Sequence, residues 1–329
     1  MISLFILFLI GFALLFDFLN GFHDSANSIA TVVVTRTLTP LQAVILAGIA
    51  NFSGYFIFGV AIANTIGQGI VNLKYMSLTI VFAALIGAVI WNIITWFLGL
   101  PTSSSHALIG GLIGAAVASA GFNAVVIGGF LKVFSFIFLA PLIGFAGAII
   151  FTVLILIIFR KSNRTKSNKW FRWLQLCSSA FYSLGHGTND AQKTMGIIAL
   201  ILFSSSLITS FYVPRWVVFS CLASISIGTM LGGWRIVKTM GTKISKIHAM
   251  EGFCAETSSA LVLLGTAHTG IPVSTTHVIA GSIMGVGSVE KARSVKWIMA
   301  RKILLAWLLT IPITAFISAV IYLFASILM

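Results

Sequence analysis

Apolar residues along this chain come in near-continuous runs of Leu, Ile, Val and Phe, such as 142–159, separated by short polar or basic stretches. Strict alternation would mark barrel strands, and a single 3.6-residue stripe would mark a water-facing helix. Unbroken runs mark helices that are apolar all round. Inside a bilayer only helices and closed barrels satisfy their own backbone groups. At about 20 residues per crossing, the length allows roughly ten to twelve membrane segments, some of them half-length. The expected fold is an all-α polytopic membrane protein with broken helices. The opening segment, 1–16, has neither a basic leader nor a small-residue cleavage site and is expected as a retained span.

Composition removes the competing classes. Of 329 residues, 59% are hydrophobic and 8% charged, with mean hydropathy +1.09. A soluble domain carries charge on about a quarter of its residues. Cys177, Cys221 and Cys254 all lie in apolar runs and make no disulfide framework. The net charge of +14 would suit a nucleic-acid partner, but 17 of the 20 Lys and Arg follow residue 159, clustered between apolar segments. Arg160, Lys161, Arg164, Lys166, Lys169 and Arg172 form one cluster, Arg235, Lys238, Lys243 and Lys246 a second, and Lys291, Arg293, Lys296, Arg301 and Lys302 a third. The positive-inside bias puts all three on the cytoplasmic side, which favours topology marking over an anion-binding patch for the first. The expected partner is the lipid bilayer of the cytoplasmic membrane, with no nucleic acid.

The chain also repeats itself. Pro101-Thr-Ser-Ser-Ser-His106 returns as Pro272-Val-Ser-Thr-Thr-His277, and Asn20-Gly-Phe-His-Asp24-Ser-Ala-Asn27 returns as His186-Gly-Thr-Asn-Asp190-Ala-Gln-Lys193. The basic stretch falls between the copies. This gives a first membrane repeat over 1–159, a basic cytoplasmic loop over 160–172 and a second membrane repeat over 173–329. Repeats of this kind typify secondary transporters, whose substrate sits near the midplane between halves that rock. The parity of crossings between the copies stays open, because 101–120 and 174–210 each fit a full span, a broken helix or a re-entrant hairpin.

Six acids serve the whole chain: Asp17, Asp24, Asp190, Glu251, Glu256 and Glu290. Asp24 and Asp190 hold equivalent repeat positions and stand beside Asn27, Asn189, Gln192 and Lys193. An intramembrane carboxylate is costly and usually faces a cavity where it meets an ion or another charge. A structural pair of Asp190 with Lys193 is the simpler alternative. Glu256 fits cation coordination and first-turn helix stabilisation equally well. Asp17 lies seven residues before Asp24, on the same helix face, and has no assigned role.

Each hydroxyl-rich turn leads into a Gly-rich apolar helix. Pro and one Ser or Thr explain a capped helix start, but capping needs one hydroxyl and each turn has three. A helix that begins inside the membrane presents free N–H groups and about half a positive charge. Two such ends facing each other would make a cradle for a small oxyanion. His106 and His277 close the turns as packing residues or proton relays, and His23 precedes Asp24. A Ser/His intramembrane hydrolase would need one nucleophile and one base; every candidate here is duplicated, and Ser104 is replaced by Thr275 in the second copy. No cofactor and no resident metal are expected.

These motifs, together with Trp91-Asn92 and Gly99-Leu-Pro-Thr-Ser-Ser-Ser-His106, resemble those of the inorganic phosphate transporter (PiT) family nearly end to end, with bacterial low-affinity phosphate permeases the nearest in kind. The resemblance implies an inverted-repeat bundle with two re-entrant hairpins, cation-coupled symport of inorganic phosphate, and a homodimer in many members. By position, Ser103, Ser104, Ser105, Ser274, Thr275 and Thr276 would contact phosphate, with Asn27, Asn189 and Lys193 beside them. Asp24, Asp190 and Glu256 would bind or relay the coupling cation. Sodium-coupled animal members carry Glu where this chain has Asn51, and many members have Asn where it has His23; both departures weigh against Na⁺, and the likeness to bacterial members implies H⁺. Sulfate is the alternative cargo of the same fold, and an anion channel differs in conducting without concentrating.

Overall fold

The structure is a computed structural model in which residues 3–54, 59–162, 164–290 and 294–328 are described; Lys291 and Arg293 of the third basic cluster, and the first two residues of the opening span, lie outside them. The described residues form twelve α-helices. They are α1 (Leu4–Val34), α2 (Pro40–Ser53), α3 (Ala61–Gly69), α4 (Leu78–Leu98), α5 (Ser104–Ala120), α6 (Ile127–Ile158), α7 (Arg164–Ser204), α8 (Arg215–Leu231), α9 (Trp234–Lys238), α10 (Ala249–His268), α11 (Thr275–Glu290) and α12 (Trp297–Leu328). Among the described residues the β pairing amounts to one bridge, Val71 to Val125.

Four helices, α1, α4, α6 and α12, are long and apolar enough to cross a membrane unaided. On α6 and α12 most of the large aliphatic side chains are exposed, the pattern of a helix whose solvent is lipid. By contrast α5, with 17 residues, is about 25 Å long, short of the roughly 30 Å hydrocarbon core, and is buried along most of its length. α8 is joined to the stretch Trp234–Lys243 through a 60° bend at Gly232 and Gly233. The expectation of broken and half-length elements is met by these pieces.

The basic stretch expected as a loop over 160–172 is helical from Arg164 onward. It forms the first turns of α7, which runs unbroken for 41 residues through the whole of 174–204. Nothing between Arg164 and Leu184 is Gly or Pro, so the backbone has no reason to leave the helix where the polarity changes. At about 60 Å the helix is twice as long as the hydrocarbon core is thick.

Helices α1 and α7 set the frame. Every polar side chain of α1 from Asp17 to Thr31 is buried, as are those of α7 from Gln175 to Thr194, with the Cys177 thiol exposed. Thr194 donates to Asp17, Ser179 donates to the carbonyl of Ser28, and Thr35 donates to Gln175. These pairings run in opposite sense along the two helices, so α1 and α7 lie antiparallel. Around them the packing is reciprocal: α5 sits against α4 and α12, and α11 sits against α10 and α6.

Small residues permit the closest crossings, as expected where no hydrophobic effect drives helices together. A β-carbon on Gly228 of α8 would run into the carbonyl oxygen of Phe18 on α1, and one on Gly21 of α1 would run into that of Ile225. Gly11 has open space. Gly228→Ala is therefore expected to lower the thermal unfolding midpoint in detergent, by an overpacking cost of about 1–3 kcal/mol. Gly11→Ala, measured alongside, leaves the midpoint unchanged or slightly raised.

Candidate functional site

The two hydroxyl turns are built alike. Ser103 Oγ accepts from the backbone N–H of His106 at 3.2 Å, and Ser274 Oγ accepts from that of His277 at 3.2 Å. The first hydroxyl of each turn is thus the helix cap, of the kind that fixes where a helix begins. The other two are released for different partners. Ser104 donates to Asn20 Oδ1 at 2.6 Å and lies 3.3 Å from Asp24 Oδ2, while Thr275 donates to Asp190 Oδ2 at 3.0 Å. Ser105 receives a hydrogen bond from Lys193 Nζ, and Thr276 receives one from Asn27 Nδ2 at 2.8 Å.

These contacts obey the sequence repeat. Ser104 and Thr275 are equivalent positions, and each binds the acid of its own copy. Ser105 and Thr276 are equivalent too, and each is held by a residue from the other copy, with Lys193 and Asn27 themselves equivalent. The two turns are therefore cross-tied in the interior, where Ser104, Ser105, Thr275 and Thr276 are all buried.

Asp190 is held by Lys193, which also donates to the carbonyl of Val273 at 2.9 Å. His186 Nε2 lies 3.2 Å from Asp190 Oδ2, and His186 Nδ1 lies 3.2 Å from Asn51 Oδ1. On the other side, His23 Nδ1 lies 2.7 Å from Asp24 Oδ1, and its Nε2 reaches Thr95. The Lys193 ammonium thus pairs with Asp190, while the contact partner of Asp24 is the His23 ring. Asp24, His186 and Asp190 offer three ligand atoms within 4.8 Å of one another, a donor set that suits a small cation.

Not every expected residue joins this cluster. Glu256, on α10, accepts from Ser178 Oγ at 2.5 Å and from Gln175 Nε2 at 3.2 Å, and Gln175 in turn accepts from Thr35 and Thr37 at the end of α1. It forms a separate polar node. Asn189 donates to the carbonyls of Gly185 and Leu263, which ties α7 to α10, and its Oδ1 has no partner. His106 and His277 meet each other, ring centres 4.7 Å apart, and His277 stacks on Trp307 at 3.8 Å. Trp307 donates to the carbonyl of Pro101, so this aromatic group braces the backs of the two turns. Ser104 is bonded to an amide and an acid, with no histidine base.

Asn20, His186, Asn51 and Tyr182 also reach this region, although the sequence pattern does not mark them as contact residues. Tyr182 donates to the carbonyl of Thr275 at 3.2 Å. Asn20 and His186 occupy equivalent places in the repeated motif, and that equivalence was the available signal.

The sequence matches the Phosphate transporter family over residues 20–318. The chain belongs to that family. Among curated proteins, a probable low-affinity inorganic phosphate transporter of Rhizobium meliloti (strain 1021) is 51% identical over 315 residues, covering 95% of this chain and 94% of its own. One of the same description from Bacillus subtilis (strain 168) is 45% identical over 313 residues, covering 94% of each. Among solved structures, one described as the sodium-dependent phosphate transporter superposes with a TM-score of 0.93 at 24% identity, over 99% of this chain and 100% of its own, a likeness of fold. This member of the Phosphate transporter family is a multi-pass membrane protein, and the family's work is transport rather than catalysis.

Breaking the central ion pair on one side strands a buried charge. Lys193→Met is expected to destabilise the protein by about 3–5 kcal/mol, seen as a lower thermal midpoint in detergent. Pairing it with Asp190→Asn removes the stranded carboxylate and recovers a large part of the loss.

Proposed function

We propose that this chain is a secondary active transporter that carries inorganic phosphate across the cytoplasmic membrane together with H⁺, by alternating access between an inverted pair of repeats, 1–159 and 173–329, joined through 160–172. The observation that carries this reading is the cross-tied pair of turns: two helix starts, four hydroxyls not used as caps, Asn27 and Lys193 converge on one buried spot beside two acids. The antiparallel course of α1 and α7, the helices that bear the equivalent acids, supports the inverted relation.

In the structure the donors of the cluster are bonded to one another and to Asp24 and Asp190. An oxyanion entering between the turns offers oxygens to these same donors, to Lys193 and to the starts of α5 and α11, each worth about half a positive charge. Together the two helix ends and Lys193 supply about two positive charges, which Asp24 and Asp190 already offset when ionised. Hydrogen phosphate adds nearly two negative charges more, and a medium of low dielectric makes that excess expensive. Cations must accompany the anion. Protons taken up at Asp24, Asp190 and Glu256 restore balance, and the loaded, compensated site is the one free to rock.

Two features favour H⁺ over Na⁺. His23, a titratable ring, sits directly on Asp24. Asn51, in the place of an animal-member Glu, hydrogen-bonds beside His186 and Thr229, so the cation donor set lacks one carboxylate.

The test is radiolabelled phosphate uptake into proteoliposomes with pH and sodium gradients imposed separately, and with sulfate as competitor. An inward proton gradient is expected to drive accumulation that an uncoupler abolishes and sulfate leaves intact. Asp24→Asn and Asp190→Asn each abolish accumulation. Intact accumulation in either variant, or uptake that follows sodium alone, overturns the mechanism as stated.

A further inference from the structure

Asp17 is a buried acid to which the mechanism above gives no task. Its side chain is fully buried on α1. Oδ1 accepts from Thr194 Oγ1 of α7 at 2.9 Å, and Oδ2 has no hydrogen-bond partner. Among the described residues no ion pair includes it. The ionisable groups near enough to act on it electrostatically are Asp190 and Lys193 from α7 and Cys221 from α8. Lys193 is already engaged by Asp190, Ser105 and Val273. Helices α2 and α4, packed on other sides of α1, carry no ionisable residue, and Arg235 of α9 lies at the surface against Trp96 and Phe97.

An ionised carboxylate at this spot would hold a charge in an apolar core with one hydroxyl donor and no counter-ion. Desolvating such a charge is far more costly than burying a neutral carboxyl, which costs only what any buried polar group does. The repeat shows that the packing here does not require an acid. The equivalents of Asp17 and Thr194 are Ser183 and Ser28, two buried hydroxyls with no side-chain partner. Glu256 is the second one-sided acid, because its equivalent is the buried Leu85.

Position gives the acid a role. Along the antiparallel α1 and α7, the Glu256 node with Gln175 and Thr35 stands at one end, Asp24, His186 and Asp190 stand in the middle, and Asp17 with Thr194 stands at the other. Asp17 is two helical turns, about 10 Å, from Asp24 on the same face.

We propose that Asp17 is a proton-binding site of this transporter, separate from the hydroxyl cluster and on the opposite side of it from Glu256, loaded in the present arrangement and exchanged during the transport cycle. Oδ2 takes its proton from water on the side to which the site opens and returns it to water on the other; no bond besides O–H forms or breaks. The proposal rests on the proton-symport reading.

Two measurements on the purified full chain test it. Infrared difference spectra of wild type against Asp17→Asn are expected to show loss of a protonated-carboxyl C=O band that shifts in D₂O. In proteoliposomes Asp17→Asn is expected to keep phosphate-for-phosphate exchange but lose accumulation driven by a proton gradient, and Asp17→Glu to restore accumulation. Absence of the band overturns the proposal, as does a variant that accumulates phosphate normally with the band lost, since the acid is then only structural. Loss of exchange in Asp17→Asn overturns it too, by making Asp17 part of the binding cluster. If wild type itself ignores the proton gradient, the symport reading fails first, and the infrared band reports separately on whether Asp17 holds a proton.

Discussion

The Lys193 ammonium reaches three groups at once: the Asp190 carboxylate on its own helix, the Ser105 hydroxyl at the start of α5, and the carbonyl of Val273 just ahead of α11. An unpaired ammonium in this interior would cost more than the fold can offset, so its partners are obligatory. Because those partners belong to both hydroxyl turns, satisfying one charge also fixes the distance between two helix starts. The helices behind the turns must then be short and buried. α5 and α11 are, and each is seated against the last long helix of the other half of the chain.

The rest of the polar interior follows from the same constraint. Buried donors and acceptors need partners, and here they find them chiefly in one another: Asn27 with Thr276, Ser104 with Asn20, Thr275 with Asp190. The symmetry of these bonds is that of the duplicated sequence, while the charges are not symmetric. Lys193 stands where the first copy has Asn27, Asp17 where the second has Ser183, and Glu256 where the first has Leu85. A duplicated scaffold provides two equivalent helix starts and the paired acids Asp24 and Asp190; substitutions on one side alone add Lys193, Asp17 and Glu256.

Much of this was legible in the sequence for physical reasons. Unbroken apolar runs can only be helices in a bilayer, and polar residues repeated inside such runs have no packing reason to recur. That is why Asp24, Asp190, Ser104, Ser105, Thr275, Thr276, Asn27 and Lys193 stand out in the sequence itself. What stayed hidden depends on direction and distance. Nothing in the letters separates the capping Ser103 from Ser104, one residue on and pointed elsewhere. From the letters Glu256 fits cation coordination and a helix's first turn equally well, and the structure has α10 deliver it to Gln175 and Ser178. The 160–172 stretch reads as a loop because it is charged, but charge does not end a helix; Gly, Pro or a cap does.

The cross-ties also constrain how such a molecule can move. If the halves rock, the contacts that span them must loosen, and the strongest of these pass through Ser105 and Thr276. Those hydroxyls, with Lys193 and Asn27, are the same groups a tetrahedral oxyanion would engage. An anion that takes over these partners loosens the direct tie between the halves while bringing negative charge to the place where Asp24 and Asp190 already stand. The cluster then holds together only if that charge is neutralised, and the neutralising groups are the acids bonded to the neighbouring hydroxyls, Asp24 beside Ser104 and Asp190 beside Thr275. On the function proposed above, substrate binding, release of the central latch and demand for a cation would be three consequences of one exchange of hydrogen bonds.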